Sequence, residues 1–197
     1  MSGGTRIIPY TGLILLLSML TMEIILRRII LLFCIIPMLA SCTGIPKGVS
    51  PVNSFQIERY LGKWYEIARL DHSFERGLEA VTAEYSLSDS GEVIVINSGY
   101  SEEKQERKQA EGKARFVGDA STGHLKVSFF GPFYGSYVVF ELDDDYEYAF
   151  VSGYNKKYLW LLSRTPDLDP SIIDTFRSQA KDLGFPIDEL IIVDHSQ

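Results

Sequence analysis

The chain has 197 residues, 46% of them hydrophobic, which is enough for one domain with a substantial core and too little for two large ones. The formal net charge is −7, and removing the +2 carried by residues 1–41 leaves −9 for the rest. Nucleic acids and anionic membrane surfaces bind clustered Lys and Arg side chains, so this balance argues against either as an electrostatic partner.

The chain from Met22 has the three parts of a secretory signal: a charged start, the apolar run 29–39, and small residues before a cleavage point. Its last four residues, Leu39-Ala40-Ser41-Cys42, resemble the lipobox of bacterial lipoprotein precursors. The resemblance implies that Cys42 is lipidated and becomes the first residue of the mature protein. An uncleaved signal anchor or a buried core helix are the alternatives, but the run is shorter than the ~20 residues of a membrane span.

The first 21 residues contain a second apolar patch, at 13–20, which is atypical of a signal. The simplest interpretation is that Met22 is the true start, and an extended leader is the alternative. In either case residues 1–41 are predicted to be a signal segment.

Residues 42–53 are rich in Gly and Pro and are predicted to form a lipidated tether without structure of its own. Fully extended, it reaches up to ~40 Å. Two or more acyl chains on Cys42 give stable anchoring, at ~0.8 kcal/mol per buried methylene. Thr43 follows the cysteine where Asp would favour the inner membrane, so resemblance to enterobacterial-type sorting implies the outer membrane of a Gram-negative bacterium, with the domain facing the periplasm.

A barrel domain is predicted over residues 54–197. Ser54 is suited to cap a short helical turn. Eight strands separated by turn signals follow, predicted at 62–70, 80–88, 92–100, 108–117, 124–130, 136–143, 146–153 and 158–164. Such short connections indicate successive antiparallel hairpins.

Apolar and polar residues alternate in strands 80–88 and 124–130, which predicts one dry face for each. Strands 92–100 and 158–164 are apolar on both faces, so an outer cover is expected. Residues 169–183 have helical spacing and supply it, and 189–194 predict a short ninth strand. Eight antiparallel strands suffice to close a sheet. The predicted fold is therefore all-β, an eight-stranded antiparallel up-and-down barrel with a C-terminal α-helix packed outside.

Three blocks within residues 53–194 resemble the lipocalins, and within them bacterial lipocalins of the outer-membrane lipoprotein type. The blocks are Gly62-Lys-Trp-Tyr-Glu-Ile-Ala-Arg69 with its continuation to Leu78, Lys126 to Gly135 followed by Leu142 to Tyr146, and Tyr158 to Pro166. Leu142-Asp-Asp-Asp-Tyr146 departs from the Thr-Asp-Tyr that the family often has at this hairpin.

The resemblance implies structural roles for five residues. Gly62 and Trp64 close the barrel base, and Arg164 lays its guanidinium over the Trp64 ring, a contact worth about 0.5–2 kcal/mol. Asp143 and Tyr146 belong to a hairpin near the same closed end. None of them is expected to be catalytic.

The sequence predicts no metal site, no cofactor and no enzymatic activity. His72, His124 and His195 lie far apart in sequence, and both cysteines, Cys34 and Cys42, precede the barrel. A Ser-His-Asp assembly forms in space and stays open as an alternative, although no GxSxG motif is present. Asp143 to Asp145 are expected to face solvent rather than to hold Ca²⁺.

Aromatic residues cluster at the predicted open end of the barrel. The predicted ligand-binding residues are Phe129, Phe133, Tyr134, Tyr137 and Trp160. Tyr134 is expected to present its hydroxyl beside an apolar cavity, a setting that suits an acyl chain with a polar head. Glu66 has the parity of Trp64, which allows an inward position, whereas a surface position is expected if the first strand twists out of register.

The predicted function is binding, storage or transport of a small hydrophobic ligand, a fatty acid or lysophospholipid, in the cell envelope. The alternatives are a structural or interaction lipoprotein with a filled barrel and a cryptic hydrolase. The expected partners are this ligand and the membrane, through Cys42; the protein is expected to be a monomer or weak homodimer.

Overall fold

The computed structural model describes residues 43–196 and the single residue Glu23. Cys42 and almost all of the signal segment lie outside the described residues, so the division into signal segment and lipidated tether stays a prediction. The described elements are α1 (Ile57–Tyr60), β1 (Gly62–Leu70), β2 (Leu78–Leu87), β3 (Val93–Ser101), β4 (Glu106–Phe116), β5 (His124–Phe130), β6 (Phe133–Leu142), β7 (Tyr148–Ser152), β8 (Leu159–Ser163), α2 (Pro170–Asp182), a 3₁₀ turn (Ile187–Glu189) and β9 (Leu190–Ile192). In this part of the chain no helix has the length and apolar character to cross a bilayer.

The strands form one closed antiparallel barrel. Neighbours follow the order β2 to β8 and then β1, and β1 pairs back with β2, so the sheet of eight strands has no free edge. β9 adds to β1 outside this ring, with Ala68 opposite Ile192. The predicted fold class is confirmed. β1 and β5 have their predicted bounds, and the other barrel strands differ by one to three residues.

Helix α2 covers one side of the barrel. Asp169 caps it by accepting the Ser171 N–H, and Gly184 ends it at a φ of +78° that other residues rarely adopt. Its buried residue Phe176 packs edge-on against Phe150 of β7, with ring centroids 5.0 Å apart. The predicted covering helix is present.

This helix does not cover the strand at 92–100, as had been expected from its doubly apolar sequence. The cluster that α2 joins contains residues of β1, β6, β7 and β8, such as Ile67 and Leu161, and none of β3. Ile94 and Ile96 on β3 are instead partly exposed. The expectation was wrong because a partly exposed Ile in a strand needs no covering element.

The closed end is built around Trp64, which is fully buried. Arg164 lies over one face of the indole at 3.9 Å, and Tyr60 of α1 stacks on it at 4.6 Å. Arg164 also donates to the carbonyls of Arg59, Lys63 and Tyr146, which ties α1, β1 and the β6–β7 hairpin together. The predicted contact between Arg164 and Trp64 is therefore present, and it belongs to the base of the barrel.

Two sequence expectations about the approach to the barrel were wrong. Ser54 does not cap α1, because Gln56 precedes the helix and no side chain caps it. The segment before it also has structure: Val49 is buried, and the Val52 N–H donates to Val139 O at 2.9 Å. Gly123 returns a bond from its N–H to Val52 O. The predicted tether thus packs along the barrel wall over these residues, which shortens its free reach.

Candidate ligand-binding cavity

A cavity of about 250 Å³ lies inside the barrel at the end opposite Trp64. Its apolar wall includes Val81, Ala83, Val95, Val127, Phe129 and Leu162. Polar and aromatic side chains complete it, among them Glu66, Glu75, Asn97, Tyr137 and Trp160. The barrel is therefore not filled by its own side chains.

Three of the five predicted ligand-binding residues line this cavity, namely Phe129, Tyr137 and Trp160. Phe133 does not, because it begins β6 at the tip of the β5–β6 hairpin and is 71% exposed. Tyr134 does not either: it is three residues from Tyr137, and alternation puts the two on opposite faces of β6. The Lys126 ammonium lies 5.2 Å from the Tyr134 ring. Neither Phe133 nor Tyr134 is therefore part of the cavity lining.

Three tyrosine hydroxyls meet at the floor of the cavity. Tyr137 Oη lies 2.7 Å from Tyr60 Oη and 2.8 Å from Tyr85 Oη. Burial raises the pKa of all three phenols, so they remain neutral and can both donate and accept. Sequence reasoning missed Tyr85 as a cavity residue, although the alternation of Val81, Ala83 and Tyr85 in β2 already marked one dry face.

Glu66 faces the cavity, which is the inward one of the two positions that the sequence left open. β1 keeps the parity that Trp64 sets, and the Glu66 side chain is buried. Arg69 compensates its charge, since Nη1 of Arg69 lies 2.7 Å from Oε1 of Glu66 and both side chains are almost inaccessible to solvent. The other terminal nitrogen of Arg69 donates to the carbonyls of Glu75 and Leu78.

The loop between β1 and β2 brings a second carboxyl group to the cavity. Glu75 Oε2 accepts from Trp160 Nε1 at 3.2 Å and lies 3.1 Å from His72 Nε2. His72 and Glu75 are buried although they belong to a loop. The sequence carried no signal for this residue pair, because a loop side chain has no periodicity that predicts where it points.

The two carboxyl groups share an environment that pushes their pKa values apart. Burial, followed by the nearby charge of Glu75, raises the pKa of Glu66 well above its usual range. Burial alone would also raise the pKa of Glu75, but hydrogen bonds from His72, Glu66 and Trp160 outweigh it and hold that pKa below the usual value.

Aromatic rings surround the mouth of the cavity. Phe74 is 57% exposed and stacks on His72 with ring centroids 3.9 Å apart. Tyr158 lies between Phe74 and Trp160, and Tyr154 packs on it at 5.3 Å. Phe74, Tyr154, Tyr158 and Trp160 all line the cavity.

Among residues 43–196, no three His, Cys, Asp or Glu side chains come together in a way that could hold a metal ion. The carboxyl pair has Arg69 as its charge partner instead.

A family model described as a lipocalin-like domain matches residues 55–195. The chain is a member of the lipocalin family. The outer membrane lipoprotein Blc of Vibrio cholerae serotype O1 is 59% identical over 169 residues, covering 85% of this chain and 98% of that one. The outer membrane lipoprotein Blc of Escherichia coli strain K12 is 51% identical over 148 residues, covering 75% and 84%.

Solved lipocalin structures have the same fold. Insecticyanin from the tobacco hornworm Manduca sexta superposes with a TM-score of 0.63 at 24% identity, over 78% of this chain and 88% of that one. At this identity the likeness establishes the fold alone. The Gram-negative relatives establish that this lipocalin is a lipid-anchored lipoprotein of the outer membrane.

Proposed function

We propose that this lipocalin reversibly binds one single-chain lipid, a fatty acid or a lysophospholipid, for storage or transport in the cell envelope. Lipidated Cys42 holds it at the outer membrane with the barrel facing the periplasm. The observation that carries the proposal is the cavity with an apolar wall and a polar cluster near its mouth. Burial of the acyl chain supplies affinity at ~25 cal/mol per Å² of apolar surface.

The size of the cavity supports one acyl chain rather than two. At about 250 Å³ it is slightly smaller than the usual ligand pocket, for which volumes start at about 300 Å³. A diacyl lipid would need considerably more room. The cavity also favours binding over a structural lipoprotein with a filled barrel.

A hydrolase finds less support in the geometry. His124 Nε2 lies 2.9 Å from Ser136 Oγ, a pair that catalytic triads also contain. However, the His124 ring also hydrogen-bonds to the Thr43 backbone, where a triad would have a carboxylate. We therefore propose a carrier and not an enzyme.

Titration of delipidated protein with palmitate and with palmitoyl lysophosphatidylcholine tests the proposal. Trp160 lines the cavity, so its fluorescence should change saturably with one ligand per barrel. A Trp160→Phe variant should lose most of this signal while calorimetry still detects binding. Absence of saturable binding to either ligand would overturn the proposal, and turnover of an ester substrate that is lost on Ser136→Ala would replace it with the hydrolase.

A further inference from the structure

We propose that Glu66 and Glu75 select the polar group of the ligand, accepting a hydroxyl or an ammonium group next to the acyl chain and excluding a free carboxylate. This inference rests on the proposed function, since it concerns the same cavity. It narrows the ligand to single-chain lipids that bring a hydrogen-bond donor to the carboxyl pair.

The charges that line the cavity all have one sign. Among the described lining residues, Glu66 and Glu75 are acidic. The described lining contains no Lys, Arg or His side chain. A fatty acid anion would enter a water-poor site that offers it no cation. Like charges repel more strongly in such a site than in water, because the local dielectric is low.

Arg69 does not relieve this repulsion. It is 2% exposed and lies behind the carboxyl pair rather than at the cavity surface. Its two terminal nitrogens already donate to Glu66 and to the carbonyls of Glu75 and Leu78. The guanidinium is therefore held within the wall by Glu66 and these two carbonyls, and its buried Nε–H has no partner among the described residues.

A second feature of the cavity also favours a ligand with a hydrogen-bond donor. Asn97 on β3 lines the cavity, and its Oδ1 is buried without a hydrogen-bond partner among the described residues. Buried carbonyl oxygens almost always have a partner, so a ligand hydroxyl or ammonium is a fitting one. A carboxylate would instead add a further acceptor to Asn97 and Glu75.

Two kinds of ligand group can donate hydrogen bonds to the carboxyl pair and to Asn97 Oδ1. One is a neutral hydroxyl, as in a fatty alcohol, a monoacylglycerol or the glycerol hydroxyl of a lysophospholipid. The other is an ammonium group, as in a long-chain amine. Both are donors, and a matched ligand series separates them.

The test measures calorimetric affinities of hexadecanol, hexadecylamine, monopalmitoylglycerol and palmitate at pH 7.5, all below their aggregation concentrations. The first three should bind at least about tenfold more tightly than palmitate, since a buried unpaired charge is costly. Glu75→Gln should raise palmitate affinity and lower that of hexadecylamine. Glu84→Gln, on the exposed outer face of β2, is the matched control and should change neither.

A second variant keeps the test valid if Glu75→Gln fails to fold. Asn97→Leu removes the unpaired acceptor and should weaken the hydroxyl ligands severalfold relative to palmitate. Palmitate affinity equal to that of hexadecylamine in the unmodified protein would overturn the inference while the proposed function stood. If none of the four ligands bound, the proposed function itself would fail.

Discussion

Replacing Arg69 with alanine is expected to lower the free energy of unfolding by about 3–5 kcal/mol, the range for breaking a buried ion pair. The substitution leaves Glu66 and Glu75 facing each other without their cation and leaves the carbonyls of Glu75 and Leu78 without a donor. Urea unfolding followed by circular dichroism measures the change. The buried ion pair of Arg69 and Glu66 should contribute far more to the free energy of unfolding than an ion pair at the surface.

Arg76→Ala is the matched control, because the Arg76 and Asp71 side chains are 65% and 38% exposed. Exposed pairs contribute about 0–1 kcal/mol.

In Arg69→Ala the folded protein should hold protons on its carboxyl pair that the unfolded chain releases above about pH 4.3. Its stability should therefore fall as pH rises from there. Equal losses of unfolding free energy in Arg69→Ala and Arg76→Ala would contradict the role given to Arg69.

Val127→Trp is expected to weaken lipid binding by about 70-fold, since an indole displaces roughly 100 Å² of acyl-chain contact at ~25 cal/mol per Å². Val127 lines the cavity from β5, and the empty space beside it accommodates the larger ring. The barrel should remain folded. Calorimetric titration with palmitoyl lysophosphatidylcholine measures the loss without interference from the added fluorophore.

Val117→Trp provides the control for this substitution, because Val117 is 40% exposed and lies outside the cavity lining. It should bind the lipid as the unmodified protein does. Retained affinity in Val127→Trp, with circular dichroism unchanged, would place the ligand elsewhere.

The barrel was predictable because strand alternation, turn residues and helix caps are local signals. They located β1 and β5 correctly and predicted the covering helix. The contact between Trp64 and Arg164, 100 residues apart, came from family resemblance and is present at 3.9 Å. What local signals could not indicate was which side of the closed barrel α2 covers, or that Val49 and Val52 pack along its wall.

The candidate site was predictable where alternation along a strand determines whether a side chain points into the barrel. Tyr137 and Trp160 follow that rule, and the same rule applied to β6 would have excluded Tyr134. Phe133 lies outside the cavity lining because it is the first residue of β6, at the exposed tip of the hairpin. Glu75 was not predictable, since a loop folded over the mouth places it, and its partner Trp160 is 85 residues away.

The most direct test of single-lipid binding is native mass spectrometry of the protein purified from its own outer membrane. We expect one bound single-chain lipid per barrel, released on delipidation and absent from Val127→Trp prepared in parallel. A wild-type barrel that carries no lipid, or that carries the same lipid as Val127→Trp, would contradict it.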